Sequence, residues 1–120
     1  MSDRHDDVLR GLARACRLGD VAAVRAALDP DAVAVCDSGG LVPAPVHPVH
    51  GAAGVARLLT WLTCDQADVE VTVASVNGRA GLALRRGGRA VALVAVTIVE
   101  TGVLLVWVVL SPPKLRRWQG

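Results

Sequence analysis

Residues 90–110 read AVALVAVTIVETGVLLVWVVL, and the choice between helix and strand here decides the fold. A membrane-spanning helix needs about 20 uninterrupted apolar residues. In this run Glu100-Thr101-Gly102 falls in the middle, and the flanks are rich in β-branched valine and isoleucine. Two buried strands, over 90–99 and 103–110, joined by a tight turn at Gly102, account for both features. Neither strand alternates apolar with polar, so each needs cover on both faces.

Outward from this pair, the chain keeps a strand period on its N-terminal side. Gly87-Gly88 marks a turn after a strand over 82–86, and Asn77-Gly78 marks the turn before it. Val69, Val71 and Val73 alternate with Glu70 and Thr72, the pattern of a half-buried strand. On the other side Ser111-Pro112-Pro113 stops the last strand, and 114–118 reads as a closing turn.

Further upstream the period becomes helical. Val55, Leu58, Leu59 and Leu62 share one face of a helix over 51–62, with Trp61 at its edge. Residues 41–50 hold Pro43, Pro45 and Pro48, so they are extended without forming a regular central strand. Residues 32–36 read as a strand, and Asp37-Ser38-Gly39-Gly40 as a turn. A first helix, capped by Asp6 or Asp7, carries Val8, Leu12 and Ala15 or Cys16 on one face. Gly19 stops it and Asp20 caps a second helix with Val21, Val24 and Leu28, which Asp29-Pro30 ends. The expected class is α+β: helices from the N-terminal half against one face of a strongly bent antiparallel sheet, in one domain over 1–120. The helices cover one face of the long strands. A second copy of the chain would cover the other, so a homodimer is expected.

Composition narrows the function. The chain has 120 residues, 52% of them hydrophobic, with three Trp and neither Phe nor Tyr. The core is therefore valine, leucine and alanine, and no tyrosine hydroxyl is available for chemistry. The net charge is only +2, with no basic stripe, so no nucleic-acid partner is expected. Cys16, Cys36 and Cys64 are odd in number and far apart, which suits reduced, buried thiols better than a secreted disulfide framework. The polar start MSDRHDD has no apolar signal region, so a cytoplasmic protein with no membrane partner is expected. Nucleophile elbow, phosphate loop and zinc-ligand spacing are all missing from the sequence, so no metal and no cofactor are expected.

Several local motifs carry a resemblance. They are Leu18-Gly19-Asp20, Asp37-Ser38-Gly39-Gly40, His50-Gly51-Ala52 with Val55-Ala56-Arg57, Val76-Asn77-Gly78-Arg79 with Gly81-Leu82, and Ser111-Pro112-Pro113-Lys114-Leu115. In these and in element order the chain resembles the nuclear transport factor 2-like, or SnoaL-like, superfamily. It is similar in particular to the C-terminal SnoaL-like domain of SigJ-type extracytoplasmic-function sigma factors. Two motifs depart from that pattern: the turn reads DSGG where the family has DGGG, and the closing motif reads SPPKL where the family has NPDKL. The resemblance implies a cone-shaped fold with an apolar pocket between sheet and helices. It also implies one of the family's activities, which include polyketide cyclases, steroid isomerases, epoxide hydrolases and pericyclic cyclases, or ligand binding alone.

Within that frame the candidate residues are few. Asp37, at a glycine-rich turn after a strand, is a candidate general base if apolar walls raise its pKa; its other reading is a turn aspartate bonding its own backbone. His50 is the second catalytic candidate, or else part of the start of the third helix. His47, three residues away in an extended segment, points the opposite way, which disfavours a shared metal site. Trp61 and Trp107 are candidate flat walls for an unsaturated ligand, with Leu58 beside them, or core filling. Asn77 and Arg79, at a hairpin, are candidates to hold a ligand oxygen, or do turn duty. Thr97, the single polar residue in the first long strand, faces either pocket or core. The leading expectation is a small-molecule-binding protein that cyclises or isomerises an apolar, polyketide-type intermediate. The alternative is a non-catalytic ligand-binding or regulatory interaction module.

Overall fold

The computed structural model describes residues 3–39, 45, 47–65 and 68–119. Three helices lead: α1 (Arg4–Leu18), α2 (Val21–Ala26) and, after two strands, α3 (Ala52–Thr63). The strands are β1 (Leu28–Asp37), β2 (Val49–His50), β3 (Glu70–Val76), β4 (Arg79–Arg86), β5 (Arg89–Val99) and β6 (Gly102–Val109), followed by α4 (Pro112–Gln119). One six-stranded sheet has the order β2-β1-β6-β5-β4-β3.

The 90–110 stretch forms the β5–β6 hairpin, as its mid-run break requires, and no helix is long and apolar enough to cross a membrane among the described residues. The β3–β4 turn uses Asn77 at φ 53° and Gly78 at φ 82°. Two successive positive φ values match the right-handed twist of the flanking strands, which is why Asn-Gly pairs favour such hairpins. Register shifts at Leu28/Val33, Leu84/Arg85 and Thr97/Ile98 put extra residues into β1, β5 and β6, with Val91 and Leu104 the unpaired ones in the last two. Bulges of this kind bend a sheet, and here they curve it around the helices.

Four expectations are corrected. The cap of α1 is Asp3, whose side chain accepts from the His5 amide, rather than Asp6 or Asp7; those two lie in the first helical turn, where their charge suits the dipole. The second helix ends at Ala26, and Leu28 already belongs to β1. Pro30 is tolerated there because it sits in the irregular stretch between the Leu28 and Val33 pairings, where no ladder amide is missed. The sheet is mixed rather than wholly antiparallel, since β1 runs parallel to β6. The closing turn at 114–118 is part of a helix, α4. Of the proline-bearing segment, residues 40–44 and 46 lie outside the described residues, and its end pairs as β2 against β1.

The main core lies between α1–α3 and one face of the sheet. Leu9, Leu12, Val24, Val55, Leu59, Leu82, Leu84, Val94, Val106 and Val108 are all fully buried there. Arg17 Nε donates to the Val71 carbonyl at 2.9 Å, and His5 Nε2 donates to the Ala80 carbonyl at 2.8 Å, so α1 is tied across β3 and β4. A smaller cluster on the opposite face packs Leu115 and Trp118 of α4 onto Val76, Ala83, Leu93 and Val109. The resemblance implied a cavity on the helix side. Among the described residues the leucine and valine side chains of the main core occupy that side, and an open cleft lies on the other face.

Candidate functional site

Alternation along each strand sets the wall of this cleft. On β5 the residues Leu93, Ala95 and Thr97 point away from α1–α3, and their β6 partners Val109, Trp107 and Leu105 share that face. The parallel ladder to β1 sets Val35 opposite Trp107 and Asp37 opposite Val109. Over the end of this surface lies α4, where Lys114, Arg117 and Trp118 fall at spacings of three and four and so share one helical face. Sheet and helix together enclose an open cleft of about 650 Å³ lined by Asp37, Asn77, Thr97, Trp107, Lys114 and Arg117 around an apolar floor.

The helix is held in place by named contacts. Trp118 Nε1 donates to the Ser75 carbonyl at 3.1 Å, and the Arg85 guanidinium lies 5.0 Å from the Trp118 ring centroid, a cation–π distance. Trp107, by contrast, is 45% exposed, a large apolar surface left open to solvent at the centre of the cleft.

Asp37 does not have the electrostatics of a general base. Lys114 Nζ donates to its carboxylate, and the Gly39 amide adds a backbone hydrogen bond, so its pKa is lowered rather than raised. Both donors favour the ionised form, and with Lys114 contributing most they outweigh the opposing desolvation. A carboxyl with a folded-state pKa below its unfolded value lends stability in full above the unfolded value. That stability is lost as pH falls through the folded value. Asp37→Asn is therefore expected to differ from the parent in melting temperature at neutral pH, with the difference shrinking below about pH 4. A pH series of thermal melts on both proteins checks this; a difference constant down to pH 2 would show that the ion pair contributes nothing.

The other candidates scatter. Asn77, Thr97 and Trp107 join Asp37 in the cleft. His50 does not: it is exposed on edge strand β2 opposite Val33, four residues along β1 from Asp37, roughly 13 Å at strand rise. His47 is also exposed and outside the cleft. Leu58 is 8% exposed and part of the main core, and Trp61 sits 42% exposed on the outer side of α3. Arg79 pairs with Asp3 at 3.7 Å on the surface, beyond the hairpin from Asn77. Lys114, Arg117 and Trp118 are the cleft residues that reading 114–118 as a turn left out. Their three-and-four spacing after Pro112-Pro113, a pair suited to a helix start, is the signal that was present. The described residues contain no group of three or more His, Cys, Asp or Glu able to hold a metal ion.

No protein-family model matches the chain, and no curated protein matches it. Solved structures do. The SigJ extracytoplasmic-function sigma factor of Mycobacterium tuberculosis is 26% identical and superposes with a TM-score of 0.71. The match covers 96% of this chain but 45% of that one, so the chain spans under half the length of SigJ. An NTF2-like protein of Cytophaga hutchinsonii, 10% identical, matches over 97% of both chains at a TM-score of 0.64. A ketosteroid isomerase-like protein of Kribbella flavida, 15% identical, matches 86% of this chain and 74% of its own at 0.61. On element order, sheet curvature and these likenesses together, the chain has the nuclear transport factor 2-like, or SnoaL-like, fold.

Proposed function

We propose that the chain binds a small, mostly apolar molecule with one anionic end on the outer sheet face, beneath α4. The observation that carries this reading is the exposed Trp107 on a floor of Leu93, Ala95, Leu105 and Val109, with Lys114 and Arg117 at its edge. An apolar floor contributes through area removed from water, and a convergent cation fixes orientation. Arg117 makes no ion pair with a described residue, so it is the group offered to a carboxylate or enolate oxygen.

Cyclisation or isomerisation of a polyketide-type intermediate is the reaction class we assign to such a site. The chemistry would rest on shape and charge. Trp107 and Trp118 hold a flexible chain near its reactive conformation, and the cations stabilise a developing oxyanion. Asp37, ionised and already paired, is a positioning residue for Lys114. A second copy of the chain on the same sheet face would complete the walls of the cleft, which is how the expected homodimer enters this reading.

The test is a titration of intrinsic tryptophan fluorescence with 8-anilinonaphthalene-1-sulfonate, an apolar ring system bearing one anionic group. Saturable binding that weakens in Arg117→Ala is expected. Affinity unchanged in Arg117→Ala, or no saturation at all, would overturn the site. Turnover of linear precursors made by neighbouring biosynthetic genes then tests the reaction. The likeness to SigJ supports a second reading, a non-catalytic regulatory module, for which co-purification of a sigma factor and absence of turnover are the expected results.

A further inference from the structure

Away from the cleft, Cys16 and Cys64 come from different helices and meet at one place. Cys16 lies on the buried face of α1, and Cys64 is the exposed C-cap of α3, 48 residues later. The Cys64 thiol donates to the Cys16 carbonyl with sulfur and oxygen 3.0 Å apart. Thr63 bridges the two: its hydroxyl is 3.6 Å from Cys64 Sγ and hydrogen-bonds the Cys16 thiol. Gly19, the C-cap of α1, makes the approach possible, because a Cβ there would stand 3.3 Å from Cys64 Sγ. The third cysteine, Cys36, lies on β1 away from this pair. The expectation of three buried thiols holds for Cys16, whereas Cys36 is half-buried and Cys64 exposed.

We propose that Cys16 and Cys64 form a peroxide-driven disulfide that staples the end of α1 to the end of α3. Cys64 is the solvent-facing partner and meets the oxidant. Its thiolate sulfur attacks one peroxide oxygen, the O–O bond breaks, and hydroxide leaves with a proton as water, giving a Cys64 sulfenic acid. The Cys16 thiol then gives up its proton, and its sulfur attacks Cys64 sulfur. The S–O bond breaks, and the departing hydroxide takes a proton to become a second water. Two thiols and one hydrogen peroxide thus become one disulfide and two waters, with the sulfurs oxidised and the peroxide reduced. Burial holds the Cys16 thiol at a pKa of about 11, which makes it a poor first nucleophile and assigns it the second step, where proximity offsets its small thiolate fraction.

The experiment treats the full chain with hydrogen peroxide and follows intact mass and tryptic peptides. The expected product has lost two hydrogens, joins peptide 15–17 to peptide 58–79, and reverts with a thiol reductant. Cys36→Ser should behave as the parent, and Cys64→Ser, a change at an exposed position, should abolish the cross-link. The oxidised chain should also unfold at higher urea, because the bond closes a 48-residue loop in the unfolded state. A Cys64 sulfinic acid without cross-link, or a bond from Cys64 to Cys36 or to another chain, would overturn the proposal.

Discussion

Gly102→Ala should lower the melting temperature by about 10 to 20 °C. Gly102 turns β5 into β6 at φ 125°, a region that side chains with a Cβ rarely enter. The added methyl would also stand 2.8 Å from the Ala27 carbonyl oxygen and 3.1 Å from the Asp29 amide nitrogen. Both neighbours are backbone, and the local chain is fixed by the Val103 amide donating to Ala27 at 3.0 Å and by the Thr101 hydroxyl donating to Asp29. Nothing nearby can give. Backbone strain of about 1–3 kcal/mol and overpacking of a similar size together cost about 3–5 kcal/mol. Gly78→Ala is the control, since Gly78 has φ 82° but open space around its missing Cβ. It should cost about 1 kcal/mol, the dihedral strain alone. Equal melting temperatures for the two variants would show that crowding at the β1–β6 junction carries no energy.

Trp107→Ala should weaken binding of the anilinonaphthalene sulfonate by about tenfold to thirtyfold. Ligand contact would remove from water the indole surface that the free protein leaves exposed, worth about 1.5–2 kcal/mol by area. The same change should lower stability by about 1–2 kcal/mol, less than the 3–5 expected for a fully buried large side chain, because Trp107 is 45% exposed. The two readouts separate the roles. A core residue would lose stability and leave affinity alone, whereas a cleft wall loses mainly affinity. Trp61→Ala, on α3 and away from the cleft, should leave the titration unchanged.

Much of the fold was legible because punctuation and period agreed. Glu100-Thr101-Gly102, Gly87-Gly88 and Asn77-Gly78 each sit at an observed turn, and the three helices in the N-terminal half follow their apolar spacing. The misses have physical reasons. Leu28 continues the apolar spacing of α2, and only its pairing with Val103, far along the chain, makes it a strand residue. The parallel β1–β6 ladder is a tertiary fact that no local pattern encodes. The site was less legible than the fold. β5 and β6 are apolar on both faces, so alternation could not say which face is inward; Thr97 and Trp107 settle it only once Asp37 is seen opposite Val109. His50 looked catalytic by residue type, yet its place on an edge strand leaves it in solvent. Asp37 lines the cleft, and the partner that lowers its pKa, Lys114, sits 77 residues away, so no local pattern could show that pairing.

The parallel joining of β1 to β6 also bears on how the chain is made. Asp37 of β1 pairs with Val109 of β6, so β1 leaves the ribosome well before its ladder partner does. Contacts of such high sequence separation are slow to form, since loop closure must precede any gain from pairing. Until β6 follows, α1 can rest on β3 and β4, but β1 has no partner joining it to the β3–β5 meander. A nascent chain stalled before residue 102 should therefore stay protease-sensitive and engage chaperones, and should become resistant only once β6 has emerged.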